Sequence, residues 1–483
     1  MIDLRPVGYV VGLLVAALGV TMLVPMGMDL LAGNDHWQVF LESALITALV
    51  GGLIALACAN GVSQRLSIQQ TFLLTTGVWL MLPVFGAIPF ALGATEARFV
   101  NAFFESMSGM TTTGSTVFVG LERLPPGLLL WRSMLQWFGG IGIIVVAMVF
   151  LPELRIGGMQ MFRSEAFDTM GKILPRATAI AGQISAIYLV LTVACMLAYL
   201  GTGMSAFDAL NLAMTTVSTG GFAPSDASMG AYAGIAEYVA TLFMFLASLP
   251  FVRYVQLVAG TARPLVSDTQ VRALIGTVVV SVTVLVIYRL MTSEADFAST
   301  FREALFNLTS IITGTGFASV DYQLWGPLAV TVFFFIGLVG GCAGSTCCSV
   351  KIFRYQILFS SIKAQIQRIH SPHGIFTPRF DGRTVSDDIL SSVMAFFVMF
   401  IVSLGIFAVA LGATGLDFIT SVSGAATALA NVGPGLGPQI GPAGNFAGLN
   451  DAAKWILIGA MLTGRLEIMG VYAILTINFW RTS

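Results

Sequence analysis

The stretch VSTGGFAP, residues 217–224, is echoed by ITGTGFAS at residues 312–319. Both are polar, glycine-bearing gaps between long apolar runs. Backbone in hydrocarbon has no water to bond, so irregular loops survive there only where protein buries them or they line an aqueous cavity. Gly221 and Gly316, each standing before a phenylalanine, give a register in which further copies can be sought.

Two more copies fall into that register, on Gly114 and Gly433. Twelve residues earlier stand Ala102, Ala209, Ala304 and Ser421, and six earlier stand Ser108, Thr215, Ser310 and Thr427. The position four earlier is apolar in each: Met110, Val217, Ile312 and Leu429. The three residues before each glycine are Thr111, Thr112 and Thr113; Ser218, Thr219 and Gly220; Thr313, Gly314 and Thr315; and Ala430, Asn431 and Val432.

Composition sets the class. The chain has 483 residues, of which 56% are hydrophobic and 10% charged, with a mean hydropathy of +0.88. Soluble domains carry about 25% charged residues, so this is a polytopic, all-α membrane protein surrounded by lipid. A net charge of -1 without lysine/arginine blocks excludes a nucleic-acid surface. The five cysteines sit in apolar or Gly/Ser contexts and read as packing residues, with neither a disulfide framework nor zinc spacing.

Roughly 20 apolar residues cross a bilayer core of about 30 Å. On that measure spans fall near 7–28, 38–60, 70–94, 128–152, 180–201, 233–259, 271–292, 325–362, 388–412 and 452–480. The first is read as a retained helix rather than a cleaved signal, because its apolar run is too long and its start barely charged. Stretches near 99–111, 205–218, 300–313 and 417–430 are too short to cross and precede the four loops. The unit is therefore helix, pore half-helix, filter loop, helix, repeated four times around a central axis. The repeats cover 69–155, 156–265, 266–386 and 387–483, and two extra helices occupy 1–68.

Sixteen of the 23 Lys and Arg fall on one side of this topology: Arg5, Arg65, Arg155, Arg163, Lys172, Arg176, Arg253, Arg263, Arg272, Lys351, Arg354, Lys363, Arg368, Arg379, Arg383 and Arg481. That side is cytoplasmic by the positive-inside rule and holds both termini. The opposite face carries Asp29, Asp35, Glu96, Glu122, Asp208, Asp226, Glu294, Asp296, Asp321, Asp417 and Asp451. Together they would concentrate cations at a mouth, though each alone reads as ordinary loop charge. The longest cytoplasmic connection, 363–387, is too short for a nucleotide-binding domain.

Four such loops meeting at an axis form a ring whose carbonyls can replace the hydration shell of a cation. The half-helices would direct their negative C-terminal ends at the ion. A single loop would read as a tight packing turn; four in matched context read as one site.

TTTGSTVF, STGGFAP, TGTGFAS and ANVGPGLG resemble the filter loops of the Trk/Ktr/HKT potassium transporters, over essentially the whole chain. The two extra N-terminal helices are similar to those of the TrkH branch and absent from the shorter KtrB branch. The resemblance places the filter glycines on Gly114, Gly221, Gly316 and Gly433, and glycine at the first favours potassium over sodium. Neighbours vary from the channel pattern T-V-G-Y-G, which implies a shorter, less selective filter. It implies further a homodimer in a bacterial inner membrane, K+ as the transported ion, no organic cofactor, and a cytoplasmic TrkA-type nucleotide-binding regulatory ring. The alternative is a secondary potassium symporter coupled to sodium or protons, since discontinuous helices suit that mechanism too.

The segment GLVGGCAGSTCCSVK, residues 337–351, is poor helix interior, since each glycine costs about 1 kcal/mol against alanine. It is expected to break mid-membrane, with Gly340, Gly341, Gly344, Ser345 and Thr346 in the break. A phosphate loop would need a βαβ context and a metal site would need histidines; close helix packing stays open. The family resemblance implies a gating loop here. Arg465, in AMLTGRLEIMGV, is a costly charge that should face a cavity or a distant carboxylate, since Glu467 points to another helix face. The resemblance implies that it is a positive barrier below the filter. Lys351, at the end of the glycine loop, is either a second, weaker candidate for that region or a cytoplasmic-boundary lysine. His36, His370 and His373 read as exposed, and Trp131, Trp137, Trp325, Trp455 and Trp480 as interfacial. Glu105 either braces the filter from behind or faces the mouth.

Overall fold

The computed structural model describes residues 2–61, 66–149 and 177–481. Arg65, Arg155, Arg163, Lys172 and Arg176, the boundary at 155/156 and the end of the 128–152 span lie outside the described residues. Helices α1 (Arg5–Thr21), α2 (Leu23–Leu31) and α3 (Trp37–Cys58) form an N-terminal pair of spans. Then follow α4 (Ile68–Gly86), α5 (Ile88–Leu92), the half-helix α6 (Phe99–Met110) and α7 (Pro126–Val149). The second unit holds α8 (Ala177–Gly201), half-helix α9 (Ala206–Val217), α10 (Ile235–Ala247) and α11 (Phe251–Val258), with α12 (Arg263–Ser267) after it. The third has α13 (Thr269–Thr292), half-helix α14 (Phe297–Ile312), α15 (Pro327–Gly337) and α16 (Ile352–His370). The fourth has α17 (Asp387–Ala413), half-helix α18 (Phe418–Ala430), α19 (Asp451–Arg465), α20 (Met469–Leu475) and α21 (Ile477–Arg481). Within 371–386 the strands β1 (Arg379–Phe380) and β2 (Arg383–Thr384) pair as a small antiparallel hairpin.

Helix starts follow side-chain chemistry. Ser205, Asp296 and Asp417 cap the half-helices α9, α14 and α18, and Asn450 caps α19, each satisfying a first-turn N–H that the helix cannot. A Ser67/Gln70 capping box starts α4.

Ten spans were expected. Among the described residues, seven helices are long and apolar enough to cross a membrane, and two further spans are bent pairs. The pair α10/α11 turns by 89° and α19/α20 by 109°, neither of which was anticipated. Pro250, which cannot donate to the preceding turn, stands at the first break. The second contains Glu467 and Ile468 in left-handed backbone, φ +57° and +44°. The remaining expected span is interrupted, as its glycines required, between α15 and α16.

Each half-helix packs on the second long helix of the unit before it: α9 on α7, α14 on α10, α18 on α15, and α6 on α19. The last pairing joins the first unit to the fourth and closes the circle.

Three sequence expectations are corrected. His36 is buried, its Nδ1 3.1 Å from Asp29 Oδ2 while its Nε2 accepts from Ala94 N. Asp29 is buried too and accepts from Gly127 N at 2.6 Å, so it ties the N-terminal pair to α7 rather than charging a mouth. Trp131 is fully buried and donates to Gly86 O at 2.9 Å. Trp455 and Trp480 are exposed as a membrane belt requires.

Candidate functional site

The four half-helices end in one backbone pattern. The N–H one residue before each common glycine returns to the carbonyl six before it. These bonds are Thr113 to Ser108 (2.9 Å), Gly220 to Thr215 (2.8 Å), Thr315 to Ser310 (2.9 Å) and Val432 to Thr427 (3.0 Å). The residue two before each glycine is left-handed in every loop: Thr112, Thr219, Gly314 and Asn431, at φ +53°, +51°, +72° and +53°. The glycines follow at φ +84°, +80°, +80° and +113° for Gly114, Gly221, Gly316 and Gly433. Alternating handedness turns successive carbonyls toward one side, and only glycine takes the second left-handed position without strain.

The loops then close on one another. A β-carbon on Gly114 would overlap the carbonyl oxygen of Gly220; on Gly221, that of Thr315; on Gly316, that of Val432; on Gly433, that of Thr113. Each loop therefore meets the next, and the fourth meets the first.

Side chains break the fourfold pattern, leaving a shared arrangement only in the first and third loops. In the first and third loops, hydroxyls pair at 2.8 Å: Thr111 with Thr113, and Thr313 with Thr315. In the fourth, Asn431 Nδ2 donates to Thr113 Oγ1 and to Met461 O, both at 3.0 Å. In the second, Gln136 of α7 donates to Gly220 O and accepts from Phe222 N. Ser218, like the rest of that loop short of Gly221, is buried.

Behind the ring, half-helix side chains hold the N–H three residues past the glycine. Glu105 accepts from Val117 N (2.9 Å), Asn307 from Ser319 N (3.1 Å) and Ser423 from Leu436 N (2.9 Å). Glu105 thus braces the loop from behind, buried, and also accepts from Arg132 Nε at 2.8 Å. Arg132 in turn donates to Ala223 O and stacks 4.1 Å over Phe222, linking the first two loops. None of Arg132, Gln136, Asn307 and Ser423 was singled out from sequence. Their signal is a polar residue inside an otherwise apolar helix, a short one for Asn307 and Ser423 and a spanning one for Arg132 and Gln136.

The four glycines floor a cavity of about 270 Å³ whose wall includes Ser115, Thr116, Asp226 and residues 440–446. Of the carboxylates expected at the mouth, Asp226 lines it. Asp296, Asp321 and Asp417 cap helices and Asp451 pairs with exposed Arg98, so most of that charge has local structural work. Asp226 accepts from Gly120 N and Leu121 N, while Glu122 accepts from Ser225 Oγ (2.7 Å) and Asp226 N (2.9 Å). This reciprocal clasp holds the Glu122 carboxyl below its ordinary range, chiefly through the Ser225 hydroxyl.

On the opposite side of the ring lies the buried, non-helical segment 338–351, with Gly340, Gly344, Ser349 and Lys351 at positive φ. It is stitched to the α10/α11 break: Cys342 N to Ser248 O (3.1 Å), Thr346 Oγ1 to Ala247 O (3.1 Å) and Phe251 N to Gly344 O (2.9 Å). Gly341 accepts from Ile352 N, and the Ser345 hydroxyl donates to Cys342 O.

Arg465 is the last residue of α19, not mid-helix, because the chain breaks directly after it. It is buried without a carboxylate partner among the described contacts. Its guanidinium donates to Cys348 Sγ of the third unit and to Gly139 O of the first (2.8 Å), and lies 5.0 Å from the Trp79 ring. Glu467 instead joins Lys351 (2.7 Å) and Arg354 (2.6 Å) in a buried triad. Lys351 and Arg354 are therefore interior charges, not the loop cations that the orientation count assumed.

The TrkH cation transport protein family model matches residues 36–479. The chain belongs to the TrkH family. It is 41% identical to the Trk system potassium uptake protein TrkI of Halomonas elongata, over 99% of this chain and 97% of that one. It is 34% identical to the potassium uptake protein TrkH of Escherichia coli K12, over 99% of each. The crystal structure of the potassium transporter TrkH from Vibrio parahaemolyticus superposes with a TM-score of 0.91 at 32% identity, covering 99% of this chain and 100% of that one. As a TrkH-family member the chain is a multi-pass membrane transport protein rather than an enzyme.

Proposed function

We propose that this chain carries potassium into a bacterial cell through a four-loop selectivity filter. The observation that carries the reading is the closed ring in which each filter glycine abuts the next loop's carbonyl, floored beneath the 270 Å³ cavity. Potassium enters from the external face, exchanges water for backbone carbonyls at the ring, and meets Arg465 and segment 338–351 on the cytoplasmic side. There a fixed guanidinium in a low-dielectric interior disfavours a resting cation. Both features sit on elements broken in mid-membrane, which supplies the freedom a gate needs. The relatives' names and the family support potassium as the ion.

The chain acts in the inner membrane with both termini cytoplasmic, as a homodimer, and a TrkA-type nucleotide-binding ring docks on the cytoplasmic face to move the gate. Rescue of growth on limiting potassium, in uptake-deficient cells also expressing that partner, tests transport. No rescue with the protein present in the membrane defeats the reading. Voltage-clamped current separates channel from symporter: reversal at the potassium equilibrium potential, unmoved by proton or sodium gradients, is expected. A reversal potential that follows either gradient would establish coupling.

A further inference from the structure

A second cavity of about 540 Å³ lies away from the ring, between the N-terminal pair and the first unit. Its walls come from α1, α4, α7 and α8, with Leu14, Leu18, Leu74, Val78, Ile141 and Val145 prominent. An apolar cavity of ~150 Å³ already takes a benzene ring, so this one has room for a chain. Three hydroxyls occur in the lining, and each is satisfied by its own helix: Thr21 by Leu18 O (2.7 Å), Thr75 by Thr71 O (2.9 Å) and Ser185 by Ala181 O (2.8 Å). Among these lining side chains that leaves only the Trp79 indole N–H, too few partners for a water, which needs two to four. Left empty, so large a void would forfeit packing along its whole lining.

The cavity is continuous with the lipid-facing surface, since Leu14 lines it and is itself 40% exposed beside Leu13 at 47%. At its inner end are Trp79, whose ring supports Arg465, and Met110, the last residue of the first half-helix.

We infer that this cavity takes one hydrocarbon chain of a bilayer phospholipid, whose end rests against Trp79. The occupant brings only its hydrocarbon: among the described residues no cationic side chain lines the cavity to hold a free fatty-acid carboxylate, so the headgroup stays outside. The chain fills the space behind the tryptophan that backs Arg465. The site stands on geometry that is independent of the transport reading.

The test uses the full chain in phosphatidylethanolamine/phosphatidylglycerol vesicles doped with a phospholipid bearing a diazirine midway along one acyl chain. Adducts on Leu14, Val78 and Ile141 should exceed, by about fivefold, those on Val280, Val284 and Ile287, an exposed face of α13. Ala17→Trp or Val78→Phe, which fill the cavity, should remove that excess and leave α13 labelling unchanged. With acyl chains brominated near their ends, the parent should lose a fluorescence component that Trp79→Phe lacks from the start. Equal labelling of the two regions, excess adducts surviving both filling variants, or labelling only by a diazirine fatty acid would overturn the proposal. So would brominated chains that quench the parent and Trp79→Phe alike.

Discussion

Arg465 reaches Gly139 across 326 residues of sequence, its Nη2 donating to the glycine carbonyl at 2.8 Å. The same guanidinium holds Cys348 of segment 338–351, so one side chain of the fourth unit ties the first unit to the third beneath the ring. On the proposed reading, a group placed there blocks the path and can also let go.

Replacing Arg465 with alanine removes both the charge and the tether. Rubidium flux through reconstituted protein should rise roughly tenfold, the change that ~1.4 kcal/mol off a barrier produces. Arg465→Lys, keeping charge but not the planar fork, should fall between. Equal flux through parent and alanine variant would take Arg465 out of the barrier.

Gly221→Ser and Gly316→Ser each place a β-carbon on the neighbouring loop's carbonyl, at a residue with φ +80°. Left-handed backbone costs a non-glycine residue ~1–2 kcal/mol, and the displaced carbonyl no longer matches the ion. Potassium over sodium discrimination, read from reversal potentials in mixed salts, should weaken. Gly260→Ala is the control, since φ is +92° there but open space surrounds the site; it should leave selectivity intact.

Breaking the buried Glu105–Arg132 pair strands one partner, at a cost of about 3–5 kcal/mol. Glu105→Gln and Arg132→Met should each lower the unfolding temperature in detergent, and the double variant should recover part of the loss. Strictly additive losses would mean the two side chains act separately.

Glu122 gives a pH dependence of definite sign. Its carboxyl is held below the ordinary 4.5 by Ser225 Oγ and Asp226 N. The proton is therefore bound more tightly in the unfolded chain, and the clasp's contribution is complete at neutral pH. It fades only as pH falls through the lowered value. The stability gap between the parent and Glu122→Gln should thus be constant from neutral pH to about 5 and close on further acidification. A gap that widens with acid would reverse the assignment.

Much of this was readable beforehand because the glycine register is a local property. The four loops, the short half-helices and the interruption at 338–351 all follow from length, glycine content and spacing. The breaks at Pro250 and Glu467 were hidden because apolar composition stays continuous through them, and a hydropathy window averages over a turn. Glu467 was dismissed as a partner of Arg465, correctly, but its partners Lys351 and Arg354 come from another unit. His36 looked exposed because a loop position says nothing about Asp29 folding back over it. Glu105 was ambiguous for a similar reason: its role depends on Val117, which the chain reaches only after passing through the ring.

The residues two before the ring glycines are Thr112, Thr219, Gly314 and Asn431, four positions of like backbone written by four separate stretches of gene. In an assembly of identical subunits, one codon change would alter every wall of the ion site together. On the proposed reading each wall here can drift alone, so natural variation can adjust ion preference a quarter at a time. Asn431 bonding to Thr113 is such a departure, present on one side and absent from the other three.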